Sequence, residues 1–360
     1  MRSANSMATG SGFTIAWLND ACGAAAAACL SLVSFDPGGD RVSTVESIEV
    51  GGTTGSLSTD RRRFVSWINT GDAPGDPGRV AALAPGEDLG IIDLGPSSIG
   101  GMAVPAVASS GAGDGPFVLA LEPETGTLEI RWPGPASAAA GIVAPGTDVR
   151  SPSLATFPDG DGLSIAALWA VGPTGGQATA WYMRHWAWEC ASPPTGCVPF
   201  PSDTDAMPIG LPVPEFPVFA LLEGAPGKEQ ILVSGAGGDI EARVFAAPGM
   251  PPDEPDVVAI GVTADGSTPR AMDAREGIGV AVLLIAPGST GAACSSRVLL
   301  VPLDGSLPFT TASWDDRPSG CSGAVAMLED GRTVAAWRGT SEDPGTSSVE
   351  WTIAPHSSWR

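Results

Sequence analysis

The sequence predicts an all-β chain assembled from seven repeats, and three observations support that fold class. The first is a phrase that recurs along the 360 residues: a short apolar strand, a Gly-containing turn, and a second apolar strand that often ends in Trp. It spans Ser6 to Trp17, Gly55 to Trp67, Ala106 to Leu121, Ser153 to Trp169, Pro217 to Gly235, Arg270 to Leu284 and Ala324 to Trp337. The second is the spacing of that phrase, about 53 residues on average between Trp17 and Trp337, a period typical of solenoids and other repeat architectures. The third is local: apolar runs are short, rich in Val, Ile, Phe and Trp, and bounded by Gly, Pro, Asp and Ser, with no capped helical periodicity sustained over ten residues.

Each repeat divides into four strands, A to D. In the third they are Ala103 to Ser109, Phe117 to Leu121, Thr127 to Trp132, and Gly141 to Ala144. The A-to-B connections carry Asp114-Gly115, Asp161-Gly162, Glu276-Gly277 and Asp330-Gly331, pairs that tolerate the positive φ of tight hairpin turns. Pro158-Asp159-Gly160-Asp161-Gly162 is such a turn rather than a calcium loop, because it lacks the spaced oxygen ligands and the distal Glu of an EF-hand. Four antiparallel strands repeated seven times make a seven-bladed β-propeller. The prediction is a single domain over 1–360, with blades at 5–50, 51–98, 99–147, 148–210, 211–264, 265–318 and 319–360. The last blade is incomplete, with A and B between Ala324 and Trp337, C from Ser348 to Ala354, and no evident D. Either upstream residues supply the missing strand or this blade has three.

On these residues the chain resembles the general seven-bladed β-propeller superfamily over essentially its whole length. It departs from the narrower families. There is no Trp-Asp repeat signature, no Ser-x-Asp-x-Gly-x-Thr-Trp box and no Tyr-Trp-Thr-Asp motif, so no family's functional residues carry over. The resemblance implies that ligands bind at the mouth of a central channel lined by A strands and topped by the B-to-C and D-to-A loops.

Composition narrows the partners. Eighteen basic against 40 acidic residues leave a net charge of −22, which repels the phosphate backbone that supplies most nucleic-acid affinity, and anionic membranes equally. No apolar run approaches the length of a membrane helix, the longest being Ile278 to Pro287, so membrane insertion is not expected. The six cysteines fall into the pairs Cys22 with Cys29, Cys190 with Cys197, and Cys294 with Cys321, an even set that suggests three disulfides and an oxidising compartment. Zinc is disfavoured by the lack of any Cys-x-x-Cys pair and by only two histidines, His185 and His356. An extracellular, periplasmic or cell-surface location follows from the disulfides. Met1 to Gly10 carries no apolar signal core, so the natural precursor is expected to extend further upstream. Enrichment in Ala, Gly and Pro with a single Tyr suggests a bacterial gene of high G+C content.

Candidate chemistry is sparse. Among the A strands as read above, Arg270 and Asp273 are the charges, and a lone channel Asp cannot supply the two converging acids that glycoside cleavage needs. His185 and His356 lie near no Gly-x-Ser-x-Gly elbow, so a Ser-His-acid triad is unsupported. The stretch Trp181 to Trp188 is the most aromatic. Alternation puts Tyr182, Arg184, Trp186 and Trp188 on one face, which serves either as packing between blades or as a sugar-stacking platform. The loops expected on the channel-mouth face are acidic: Asp20, Asp72, Asp76, Glu122, Glu124, Glu342 and Asp343 in B-to-C loops, and Asp253, Glu254, Asp256, Asp315 and Asp316 near crossovers. The residues put forward for ligand binding are Arg184, Trp186, Trp188, Asp315, Asp316, Glu342 and Asp343, with no catalytic or metal-binding set.

The expectation is therefore a monomeric, exported, non-catalytic binding or scaffold propeller that recognises a protein or a surface polysaccharide. Two alternatives stand beside it: a glycan-processing hydrolase or lyase using loop carboxylates, and a structural module stabilised by Ca²⁺, the one cofactor the acidic loops would suit.

Overall fold

A computed structural model of the chain describes residues 3–9, 12–22, 27–50, 53–59, 65–70, 78–83, 91–97, 106–109, 116–122, 125–132, 137–142, 146–159, 162–173, 176, 178–190, 197–201, 207–209, 219–222, 230–233, 239–244, 256–262, 267–275, 278–287, 294–302, 309–317, 323–340 and 347–354. Among these residues there is no helix. The strands group by repeat. The first sheet is β1 (Ser3–Thr9), β2 (Gly12–Cys22), β3 (Ala27–Phe35) and β4 (Glu46–Glu49); the second is β5 (Thr53–Thr59), β6 (Val65–Thr70), β7 (Gly78–Leu83) and β8 (Ile91–Ser97). The third is β9 (Ala106–Ser109), β10 (Pro116–Leu121), β11 (Thr127–Arg131) and β12 (Ser137–Ile142). The fourth is β13 (Thr147–Asp159), β14 (Gly162–Pro173), β15 (Ala180–Cys190) and β16 (Cys197–Pro201), with β17 (Met207–Ile209) also paired to β15. The fifth repeat contributes two strand pairs, β18 (Phe219–Leu222) with β19 (Gln230–Val233) and β20 (Asp239–Val244) with β21 (Asp256–Val262). The sixth sheet is β22 (Thr268–Arg275), β23 (Gly279–Pro287), β24 (Cys294–Pro302) and β25 (Phe309–Arg317), and the last is β26 (Gly323–Met327), β27 (Thr333–Thr340) and β28 (Ser347–Ala354).

Every pairing is antiparallel between sequence neighbours except the bridge from β15 to β17, so each sheet is a meander. The first strands touch in cyclic order: β1, β5, β9, β13, β18, β22, β26 and back to β1. A closed cycle of meandering antiparallel sheets is the arrangement of a β-propeller.

The core lies between sheets, and strand alternation builds it. Along β2, Phe13 and Ile15 face the last sheet, whereas Ala16 and Leu18 face the second. Along β27, Val334 and Ala336 face the first sheet, whereas Ala335 and Trp337 face the sixth. Because both faces of the first and last sheets are covered, these strands are apolar on both sides and show little hydrophobic/polar alternation. That double burial is why the repeat appears in the sequence as plain apolar runs.

The Asp330-Gly331 turn has the chemistry its residues suggest. Gly331 sits at φ +83°, where a Cβ is disfavoured, and its N–H donates to the Leu328 carbonyl at 3.0 Å. The Arg332 N–H donates to Asp330 Oδ1 at 3.0 Å. At Pro158–Gly162 the ladder runs down to the pair Asp159↔Gly162, leaving Gly160 and Asp161, outside the described residues, as the connection.

Several boundaries differ from the sequence reading. Strand D of the third repeat is Ser137–Ile142 rather than 141–144, because Ala-rich stretches carry almost no strand signal. The first strand of the fourth sheet begins at Thr147, upstream of Ser153, and passes a register shift between Arg150 and Ser153 that hid its continuity. Asp315 and Asp316 lie within β25 rather than in a crossover, since Phe309–Arg317 keeps pairing with β24 up to Arg317↔Cys294.

Candidate functional site

The third sheet turns one face to the fourth and the other to the second. Phe117, Leu119, Leu121, Leu128 and Ile130 pack against Val149, Leu154, Ile165, Ala167 and Trp169 of the fourth sheet. The residues between them in sequence point the other way, and three are charged: Glu122 just after β10, and Glu129 and Arg131 on β11. The register Ala120↔Glu129 and Val118↔Arg131 places all three on one strip of sheet.

Arg131 is 6% exposed and holds the strip together. Its Nη2 donates to Glu122 Oε2 at 2.7 Å and its Nε to Glu129 Oε2 at 3.3 Å. Its Nη1 donates to the Leu94 carbonyl of β8 at 3.2 Å, which ties the guanidinium to the second sheet. Gly95, next to Leu94, takes φ +91°, in the left-handed region that favours glycine. A buried guanidinium is tolerated only when its donors are taken up, and here carboxylates and a carbonyl take them. Both glutamate side chains keep 20% exposure. They are therefore fixed at one edge and open to solvent at the other, beside the β10–β11 turn closed by Glu122 N–H to Thr127 O at 2.8 Å.

Asp273, expected at the channel, has another task. Asp273 on β22 accepts the Met327 N–H of β26 at 2.6 Å through Oδ2 and the Ala274 N–H at 2.9 Å through Oδ1. It links the first strands of the sixth and last sheets. The longer β13 also brings Asp148 into a first strand, where it is 4% exposed and engaged within the protein.

Arg184, Trp186 and Trp188 lie on β15, opposite Ala167, Ile165 and Leu163 of β14. Trp186 and Trp188 also pair with Pro201 and Pro199 of β16. Their side chains are outside what the structure describes. Neighbouring Tyr182 is packed into the core between the third and fourth sheets and stacks on Trp169 at 6.0 Å, and Trp181 is fully buried. Asp315 and Asp316 lie at the end of β25, and Glu342 and Asp343 fall outside the described residues. Glu129 and Arg131 were missed because their isolated positions in Thr127–Arg131 look like ordinary strand polarity; the one signal in the sequence was their i, i+2 spacing, which puts the two on the same face of β11.

Cys29 and Cys294 are disulfide-bonded, and among the described residues there is no free cysteine. Cys190 and Cys197 face each other directly across β15 and β16. Cys22 ends β2 opposite Ala27, and Cys321 is outside the described residues. Among the described residues no group of three or more His, Cys, Asp or Glu is placed to hold a metal ion. No described helix is long and apolar enough to cross a membrane.

No protein family and no curated protein sequence matches the chain. Solved structures do. An ulvan lyase of a new polysaccharide lyase family is 10% identical, with 97% of this chain and 91% of that chain covered and a TM-score of 0.49. The polysaccharide lyase Uly1 is 9% identical, with 98% and 90% covered and a TM-score of 0.45. The β-propeller domain of the trilobed protease from Pyrococcus furiosus, of open velcro topology, is 8% identical, with 96% of both chains covered and a TM-score of 0.43. At these identities the likeness is one of fold. The expectation of a non-catalytic binding or scaffold propeller is corrected here at the site itself: Glu122 and Glu129 are the paired acids it took to be missing. It rested on a channel without paired acids, whereas the paired acids lie between two sheets, at a strand turn.

Proposed function

We propose that this chain is a seven-bladed β-propeller that cleaves a polysaccharide, as a hydrolase or a lyase, with the carboxylates of Glu122 and Glu129 as the working groups. The blade count is supported by the seven first strands that touch in a cycle. The single observation that carries the activity is the convergence of Glu122 and Glu129 on one face of the third sheet, both held by Arg131. Glycosidic bonds are broken by two carboxyl groups roughly 5 to 10 Å apart, one exchanging a proton with the leaving oxygen and one acting on the opposite side of the sugar. Two carboxylate oxygens bound to one guanidinium cannot lie beyond the upper end of that range. Their common anchor fixes them on rigid strands, which is what preorganised acid–base chemistry requires. Two of the similar folds named above are polysaccharide lyases, in agreement with this reading.

The test is cleavage of a broad set of soluble polysaccharides, followed by new reducing ends and by the ultraviolet absorbance of unsaturated uronates. A hydrolase raises the first alone, and a lyase raises both. Glu122→Gln and Glu129→Gln keep shape and a hydrogen-bond acceptor toward Arg131, and each should cut turnover by about 100-fold or more while leaving the fold intact. No new ends from any polysaccharide, or full activity in both variants, would overturn the proposal.

A further inference from the structure

We infer that the glycan cleaved is uncharged or amine-bearing, and that polyuronates and sulfated polymers are excluded; this rests on the glycan-cleaving reading above. A polymeric anion needs cations to receive it, and the chain has few of them. It carries 18 basic against 40 acidic residues, and Lys228 is its one lysine. Every arginine whose side chain is described has a partner within the protein. Arg131 is taken by Glu122 and Glu129, Arg332 by Asp330 at 2.6 Å, and Arg41 by the Ser43 carbonyl at 2.6 Å. Arg184, Arg270, Arg275 and Arg297 are likewise engaged. The one basic cluster, Arg61-Arg62-Arg63, lies in the segment between β5 and β6.

A net charge of −22 sets up a negative potential around the whole molecule. At physiological salt it reaches about 8 Å from the surface, roughly the span of one or two sugars, and each substrate charge entering it costs several-fold in affinity on the order-of-magnitude Coulomb scale. A polyanion lays several charges along the site and multiplies that loss. A neutral glycan meets no such barrier, and an amine-bearing one is drawn in.

The charge class also fixes the reaction. Elimination requires a carboxyl group beside the carbon that loses its proton, and a neutral sugar has none. What remains is hydrolysis. The bond from the anomeric carbon to the glycosidic oxygen breaks, the leaving oxygen takes one proton, and the oxygen of water, having lost a proton to a carboxylate, bonds to the anomeric carbon.

The experiment compares one polyuronate in its native and carboxyl-reduced forms, with chitosan as the amine-bearing polymer, at about 0.01 M and about 1 M salt, where screening lengths are roughly 30 and 3 Å. Reducing ends measure cleavage, and affinity electrophoresis measures binding. We expect the carboxyl-reduced form or chitosan to be cleaved and the native form to be cleaved at least tenfold more slowly at low salt. High salt should narrow the first gap and slow chitosan. Cleavage of the native polyuronate as fast as its reduced form at low salt overturns the inference and leaves the glycan-cleaving reading standing. Binding of the reduced form alone, with no cleavage of any polymer, overturns the activity and upholds the charge selection. Neither binding nor cleavage overturns both.

Discussion

Arg131 is the residue on which two arguments meet, because it both holds two carboxylates in place and ties the second sheet to the third. Removing the guanidinium leaves Glu122 and Glu129 facing each other without a cation. A buried ion pair broken from one side costs about 3 to 5 kcal/mol, whereas the same set replaced by apolar groups can be neutral. Arg131→Met should therefore lower stability by about 3 kcal/mol in urea denaturation, and the triple change that also makes both glutamates Gln should recover part of that loss. Equal stability of the single variant and the parent would show that Arg131 does not anchor the carboxylates. Gly331 offers a second test at this scale. Its φ of +83° sits in the left-handed region, so Gly331→Ala should cost about 1 to 2 kcal/mol. An unchanged midpoint would mean that the β26–β27 turn has a different backbone.

At the scale of elements, the last sheet stands out because its third strand, β28, is the outermost one described. Trp351 on that strand packs against the first sheet, 4.6 Å from Phe35 and 5.3 Å from Phe13 between ring centroids. Those two rings stack on each other at 4.9 Å. A loop after β3 closes on the same indole: Gly39, at φ +96°, leaves no room for a Cβ, which would meet Trp351 at 2.9 Å and Ile353 at 3.2 Å. The loop is fixed internally by Asp40 N–H to Asp36 Oδ1 at 2.8 Å and Val42 N–H to Ser34 O at 2.9 Å. The seam between first and last sheets is thus an aromatic clasp. Trp351→Ala should cost about 3 kcal/mol or more, and hydrogen exchange should speed first in β27 and β28. Uniform acceleration over all sheets would contradict a local seam. Legibility differs between such features. The alternation of Phe13 and Ile15 against Ala16 and Leu18 is visible in sequence, because a strand's period is local. The Glu122–Arg131 contact is not, because it depends on the β10–β11 register and on the approach of Leu94 from another sheet. In the fifth repeat the phrase from Pro217 to Gly235 holds strands Phe219–Leu222 and Gln230–Val233 of only four residues each, too short to show a period.

The whole molecule poses the question of how a ring of sheets resists opening when each sheet contacts mainly its neighbours. Cooperation in such an array comes from the interfaces, and the weakest one sets where unfolding begins. Between the sixth and last sheets the interface is strong: Leu283, Ile285 and Leu300 pack on Val325, Met327 and Trp337, and Asp273 adds its bond to the Met327 N–H. Cys294 lies in that same core and is disulfide-bonded. We propose that its partner is Cys321, in the segment between β25 and β26, so that the bridge staples the sixth sheet to the last, and that Cys22 pairs with Cys29 and Cys190 with Cys197. The loops these close differ in length, and the chain-entropy estimate gives about 2.5 kcal/mol for each short loop and about 3.5 kcal/mol for Cys294 with Cys321. Reduction should therefore lower the melting temperature, and Cys294→Ala with Cys321→Ala should reproduce more of that drop than either short pair does. Peptide mapping without reduction would show the three pairings directly. If removal of the short pairs lowers the melting temperature more than removal of the Cys294 pair, the bridge does not join the two sheets and their interface is held by packing and Asp273 alone.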